Sequence, residues 1–208
     1  MLATAPVIAL AAAVILSCSS SPSSSRGGAS VGGSSNASAP GASGFDGAAL
    51  PGDVAAPDFT LTDQHGHRVS LSHYRGQVTV LAFLYSSCGG PCIVIAQQIR
   101  GALDELARPA AVVIVSADPT ADTPASVARF LRRVSLTGRV RYLTGSASQL
   151  RPVWRAYRVV PASAGRGSFA RAATVALLDR QGRERVLFGP EQLTPESLAH
   201  DVRRLQRG

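Results

Sequence analysis

Aromatic side chains make up only 5% of this chain, lysine is missing altogether, and no apolar run is long enough to cross a bilayer. Each shortage narrows the possible functions. The 21 basic residues are all arginine, against 13 acids, and the resulting +8 at pH 7 invites an acidic partner such as nucleic acid or a lipid surface. The arginines are scattered, however, with small clusters only at Arg129, Arg132, Arg133 and at Arg183, Arg185. No aromatics are interleaved with them to stack on bases, so nucleic-acid binding is set aside in favour of a solvated basic surface. The apolar run at residues 5–16, APVIALAAAVIL, falls short of the roughly twenty residues a membrane span needs. It has the right size for the core of a signal peptide. No internal repeat is present. Since the first fifty or so of the 208 residues differ in composition from the rest, a single domain of about 150 residues is expected.

Cysteine is scarce too: the chain has three, Cys18, Cys88 and Cys92. The apolar run ends in Ile15-Leu16-Ser17-Cys18, which resembles a bacterial lipobox. That resemblance implies a signal peptide over residues 1–17, cleavage before Cys18 and a lipid on that cysteine. Lipidating Cys18 leaves Cys88 and Cys92 as an even pair, with no stray thiol in an oxidising compartment. From Ser19 to about Gly52 the chain is Ser, Gly, Ala and Pro, with almost no charge or large apolar side chains. Such a segment cannot bury enough surface to offset its ordering entropy, so residues 18–52 read as a flexible tether and residues 53–208 as the folded domain.

Within the domain, Ala56 to Thr62 alternates apolar and polar side chains, turns at Gln64-His65-Gly66-His67, and continues into Arg68 to Leu71, the pattern of a β-hairpin. Val78 to Leu84 is nearly continuous in apolar residues and reads as a central strand buried on both faces. Two cysteines stand at its C-terminal end. From Cys92 the period becomes helical, with Ile95, Ile99, Leu103 and Leu106 on one side. Ala111 to Val115 is a second buried strand, and Thr123-Pro124 opens a helix with Val127, Phe130, Leu131 and Val134 inward. Val140 to Leu143 is a shorter strand, Ser148 to Tyr157 a helix, and Ala162 to Gly167 a surface loop. Ala173 to Leu178 and Arg185 to Phe188 form a closing hairpin, and Thr194-Pro195-Glu196 starts a final helix. The class is α/β. The order resembles a thioredoxin-like fold with an N-terminal β-hairpin extension and a C-terminal hairpin plus helix.

Cys88-x-x-x-Cys92 carries the chemistry. On a helix, positions i and i+4 share a face with Cα atoms about 6 Å apart, within reach of a disulfide. The same spacing lets two thiolates converge on a soft cation, Cu(I) or Zn(II), in preference to a hard one. A purely structural bond closing so short a loop removes little entropy from the unfolded chain, which favours redox or metal chemistry. The helix start adds partial positive charge and free N–H groups that stabilise a thiolate.

With APDFTLTDQHG at 56–66, Arg75-Gly76, the cysteine pair, SADPTADTP at 116–124, VWRAYRV at 153–159 and LLDRQGR at 177–183, the domain resembles the SCO/SenC family. The resemblance implies a thioredoxin-like, membrane-tethered extracytoplasmic protein on the outer face of the bacterial cytoplasmic membrane. It implies copper binding through Cys88 and Cys92 and a role in assembling the copper centre of cytochrome c oxidase, with that enzyme's copper-site subunit or another thiol or copper protein as partner. The chain departs from the pattern in two places. Proline stands directly before the second cysteine, at Pro91, where the family has it after the first. The family's copper histidine falls eight residues before the Asp of the terminal hairpin turn, and here that position is Arg171.

His65, His67, His73 and His200 do not fill that place and read as ordinary surface histidines. With two sulfurs alone, Cu(I) is expected over Cu(II). Arg171, if directed at the pair, would favour a thiolate instead. The alternative reading is a thiol-disulfide oxidoreductase that reduces the metal-site cysteines of a partner without holding copper, with Cys88 attacking and Cys92 resolving. A tethered binding module without turnover is a third. A peroxidase is disfavoured because the Trp-Asn element and the Pro-x-x-x-Thr-x-x-Cys pattern are both missing.

Overall fold

A computed structural model describes residues 44–164, 169 and 173–208. Cys18, Arg171, the signal peptide and most of the tether lie outside the described residues.

Eight strands form one sheet in the order β1-β8-β7-β4-β5-β6-β2-β3. They are β1 Ala48–Ala49, β2 Thr60–Asp63, β3 Arg68–Ser70, β4 Thr79–Leu84, β5 Ala111–Ser116, β6 Arg141–Thr144, β7 Val175–Leu178 and β8 Glu184–Phe188. Four α-helices are described, α1 Gly90–Glu105, α2 Pro124–Arg133, α3 Ala147–Ala156 and α4 Pro195–Arg207. None of the described helices is long and apolar enough to cross a membrane.

The centre is β4, parallel to β5 from Thr79↔Ala111 to Leu84↔Ser116 and antiparallel to β7 from Thr79↔Leu178 to Ala82↔Val175. All six of its residues are buried, which is why its sequence shows no polar alternation. Val80, Ala82 and Leu84 face one layer with Ile95 and Ile99 of α1, Phe130 of α2 and Val202 of α4. Leu81 and Phe83 face the other, with Leu150, Val153 and Trp154 of α3. Truncating Leu81, fully buried between these layers, to alanine is expected to cost about 2–5 kcal/mol.

The helices begin where the sequence marks them. Thr123 Oγ1 accepts from the Ser126 N–H, Thr194 Oγ1 from Ser197, and Ser146 forms a capping box with Gln149. The N-terminal hairpin is present as β2–β3, Thr60↔Ser70 to Thr62↔Arg68, and joins the sheet through β6.

Three features differ from the sequence reading. The domain begins before residue 53, because Ala48 and Ala49 pair with Leu187 and Val186. The buried Asp201 carboxylate fixes this segment by accepting from the N–H groups of Asp46 and Gly47 at 2.9 Å each. Composition hides such a strand, since its order comes from a distant edge and a distant acid. Second, α1 starts at Gly90, leaving Cys88 in the loop before it rather than on the helix. Third, the start of the expected loop at 162–167 is tied down: Ala162–Ala164 forms a short 3-10 turn, and the Ala162 N–H donates to the Ala117 carbonyl at 3.1 Å.

Candidate metal and redox site

β4 runs out at Leu84, and the chain passes through buried Tyr85 and a turn at Ser86-Ser87 before reaching Cys88. The Cys88 N–H closes this turn on the Tyr85 carbonyl at 3.2 Å. Gly89 then takes φ +78, a backbone conformation that L side chains rarely adopt, and Pro91 occupies the first turn of α1. The two sulfurs are joined in a disulfide with Cα atoms 5.7 Å apart. The sulfurs differ in access: Cys92 is fully buried, whereas Cys88 is partly exposed at the edge of the core. The backbone N–H of Cys92 donates to the Cys88 sulfur at 3.2 Å, one of the free helix-start donors the sequence led us to expect. An external thiolate therefore reaches Cys88 first, and Cys92 would be the leaving sulfur.

The loop that leads to Cys88 is held by a buried polar cluster that the sequence reading assigned no role. The Asp122 carboxylate accepts from the Ser86 N–H at 2.7 Å, the Ser116 hydroxyl at 2.6 Å and the Tyr142 hydroxyl at 2.7 Å. The Ser86 hydroxyl donates to the Ala121 carbonyl, so the loop before Cys88 is bound twice to the loop after β5. Burial pushes the Asp122 carboxyl above its ordinary pKa despite these bonds. Tyr142, fully buried beside that carboxylate, is driven up by desolvation and then by its charge. The local signal for this cluster is the polar Ser116 that ends an otherwise apolar strand; Asp122 lies six residues further on, in the following loop. On the other side of the loop, the Tyr85 ring packs edge-on against the buried Phe169 at 4.9 Å.

Among the described residues no histidine or carboxylate joins the cysteines in a three-ligand group; the group that does form is Asp46, His200 and Asp201. His65 and His67 are exposed, at the hairpin turn where their N–H groups donate to Asp63. His73 is exposed, and His200 contacts Asp46 and Asp201. The described donor set at the pair is thus two sulfurs, which fits a soft monovalent cation once the disulfide is reduced.

A parallel-centred sheet with a cysteine pair between its middle strand and the first helix defines a thioredoxin-like protein of the thiol or soft-metal kind. More narrowly, the SCO1/SenC family model matches residues 48–207, and the chain belongs to that family. It is 31% identical over 111 residues to the bovine protein described as "Protein SCO2 homolog, mitochondrial", a match covering 51% of this chain and 41% of that protein. The chain thus spans about two fifths of that curated relative's length. The copper-bound structure of Bradyrhizobium japonicum ScoI is 27% identical with a TM-score of 0.55, covering 73% of this chain and 99% of that one. BsSco, described as having a disulfide switch and as a member of the Sco family of cytochrome c oxidase assembly proteins, matches with a TM-score of 0.64 at 20% identity over 76% of this chain and 96% of its own.

Proposed function

We propose that this chain carries copper as Cu(I) between the reduced sulfurs of Cys88 and Cys92, and hands it on during assembly of the copper centre of cytochrome c oxidase. Copper is cargo here, and the partner is the oxidase's copper-site subunit. A lipid on Cys18 would hold the domain by its tether at the outer face of the bacterial cytoplasmic membrane.

The carrying observation is the display of the pair. One sulfur is reachable and the other buried at a helix start, and both are bonded in a geometry that two electrons and two protons open to a dithiol. The copper-bound Bradyrhizobium relative supports the same reading. Two thiolates compensate the charge of Cu(I) and offer the soft donors it prefers, whereas Cu(II) would want nitrogen or oxygen ligands.

The test is anaerobic titration of the reduced full chain with Cu(I) and with Cu(II), beside the Cys88→Ser/Cys92→Ser variant. Tight Cu(I) binding that vanishes in the variant is expected. Failure of the reduced wild type to bind Cu(I) overturns the proposal. Because Arg171 stands at the position where the family resemblance calls for histidine, Arg171→His should raise Cu(II) affinity at least tenfold. An unchanged affinity would show that this residue does not reach the site.

The closed disulfide and the accessible Cys88 favour a second reading, a thiol-disulfide oxidoreductase. In that case the Cys88 thiolate attacks a partner's disulfide, one partner sulfur leaves as a thiolate, and a mixed disulfide forms. Cys92 then displaces the second partner sulfur, so the partner leaves as a dithiol and the Cys88–Cys92 bond is restored with the electrons balanced. A reduction potential at or below about −300 mV would instead mark the bond as structural.

A further inference from the structure

A large cleft lies at the far end of the sheet from the cysteines. β7 runs antiparallel to β4, so Leu178 pairs with Thr79 and the β7–β8 turn emerges beside the start of β4. Six strand residues separate it from the cysteine end, about 20 Å. There the turn, the last turn of α4 and the segment from Phe45 to Pro51 enclose a cleft of about 940 Å³.

Its walls carry Arg180, Arg183, Arg185, Arg204 and Arg207, and a single side-chain carboxylate, Asp179. Asp179 engages Arg183 Nε at 2.9 Å and Arg185 Nη1 at 3.2 Å. Arg180, with Arg108 from outside the cleft, donates to the Gln206 carbonyl at the C-terminal end of α4. The Arg204 guanidinium stacks over the Phe45 ring at 5.0 Å. Arg183 and Arg185 thus share one carboxylate, and Arg180 meets a backbone carbonyl. Arg207 stands out: it is exposed and forms no ion pair among the described residues. Always charged and planar, guanidinium groups match the paired oxygens of a phosphate.

We propose that this cleft binds an oxyanion of the phosphate class, a phosphate ester or polyphosphate whose oxygens accept from Arg207 and the neighbouring guanidiniums on the cleft walls. The described chain enters the domain on the rim of the same cleft, with Gly44 against the Arg204 guanidinium. A lipid headgroup and a soluble phosphate ester share this chemistry, and the experiment separates them.

The full chain is titrated calorimetrically with inorganic pyrophosphate. In parallel it is sedimented with vesicles of phosphatidylcholine alone or with one third phosphatidylglycerol. Arg207→Glu tests the cleft, and Arg132→Glu on α2, outside the cleft, controls for bulk charge. Unchanged thermal melts verify that both variants fold, and Arg180→Gln serves as a second cleft variant. The expected result is saturable pyrophosphate binding, weakened at least tenfold by Arg207→Glu and less than twofold by Arg132→Glu. If the extra binding to phosphatidylglycerol vesicles is lost in the same variant, the ligand source is lipid; if only pyrophosphate responds, it is soluble. Absence of binding in both arms, or equal losses in the two charge-reversal variants, overturns the proposal.

Discussion

The two ends of the sheet each bury a carboxylate, and the two acids are pushed in opposite directions. At the cysteine end, Asp122 accepts from a backbone N–H and two hydroxyls. At the other end, Asp179 accepts from the N–H groups of Gln181 and Arg183 and from the guanidiniums of Arg183 and Arg185. Burial works to raise both. Neutral donors leave Asp122 above its ordinary pKa, while at Asp179 the backbone bond and the paired guanidiniums outweigh burial and hold it below. At Asp179 the Arg183 backbone N–H lowers the carboxyl most and the two guanidiniums add to it, whereas Asp122 has neutral donors alone. The hydroxyl-lined acid braces the loop that presents the cysteines through neutral donors, whereas the guanidinium-lined acid anchors a hairpin on the wall of the arginine-lined cleft.

Removing the acceptor altogether should have the largest effect. Asp122→Ala strands three donors that are buried or partly so, and should cost about 4 kcal/mol, roughly 10 °C in melting temperature, read by calorimetry. A loss below about 1 kcal/mol would mean that the cluster does not brace the site. Next is the backbone of the cysteine loop. Gly89→Ala meets no atom within 4 Å, yet must take φ +78, so about 2 kcal/mol should be lost through strain alone, measured by urea denaturation.

The smallest and sharpest test neutralises each acid without changing its shape. Asp179→Asn should cost about 1–2 kcal/mol, with the partial exposure of Arg183 and Arg185 limiting the loss, and Asp122→Asn less than that. The pH profiles should diverge as well. Asp179, lowered in the fold, contributes stability above about pH 4 that is lost as pH falls through its depressed value. Asp122, raised in the fold, contributes most below about pH 4 and loses that contribution as pH rises through its elevated value. Urea melts between pH 2.5 and 7 should therefore show a flatter acid limb for Asp179→Asn and a steeper one for Asp122→Asn. Parallel shifts of both curves would refute the contrast.

Much of the fold is legible in single segments. The apolar run of β4, the period of Ile95 and Ile99, the threonine caps at Thr123 and Thr194, and the turn at Gln64 to His67 each depend on neighbours within a few residues, where backbone sterics and periodicity act. The disulfide partners, four residues apart, belong to the same class. Register and start points were less accessible. α1 opens two residues before the point its apolar period suggests, because Gly90 and Pro91 carry no periodic signal.

What the chain's own order of residues determined, then, is the α/β class, the succession of elements and the presence of a thiol pair at the end of the central strand. Tertiary structure alone decided that Cys92 is buried and Cys88 is not. It also decided that Asp122 meets Ser86 and Tyr142 across 36 and 20 positions of chain, that two alanines become an edge strand, and that arginines from a hairpin and a helix end surround one cleft. The physical reason is range. Local propensity acts over a turn or a strand, whereas burial and charge compensation act between segments that only the completed sheet brings together.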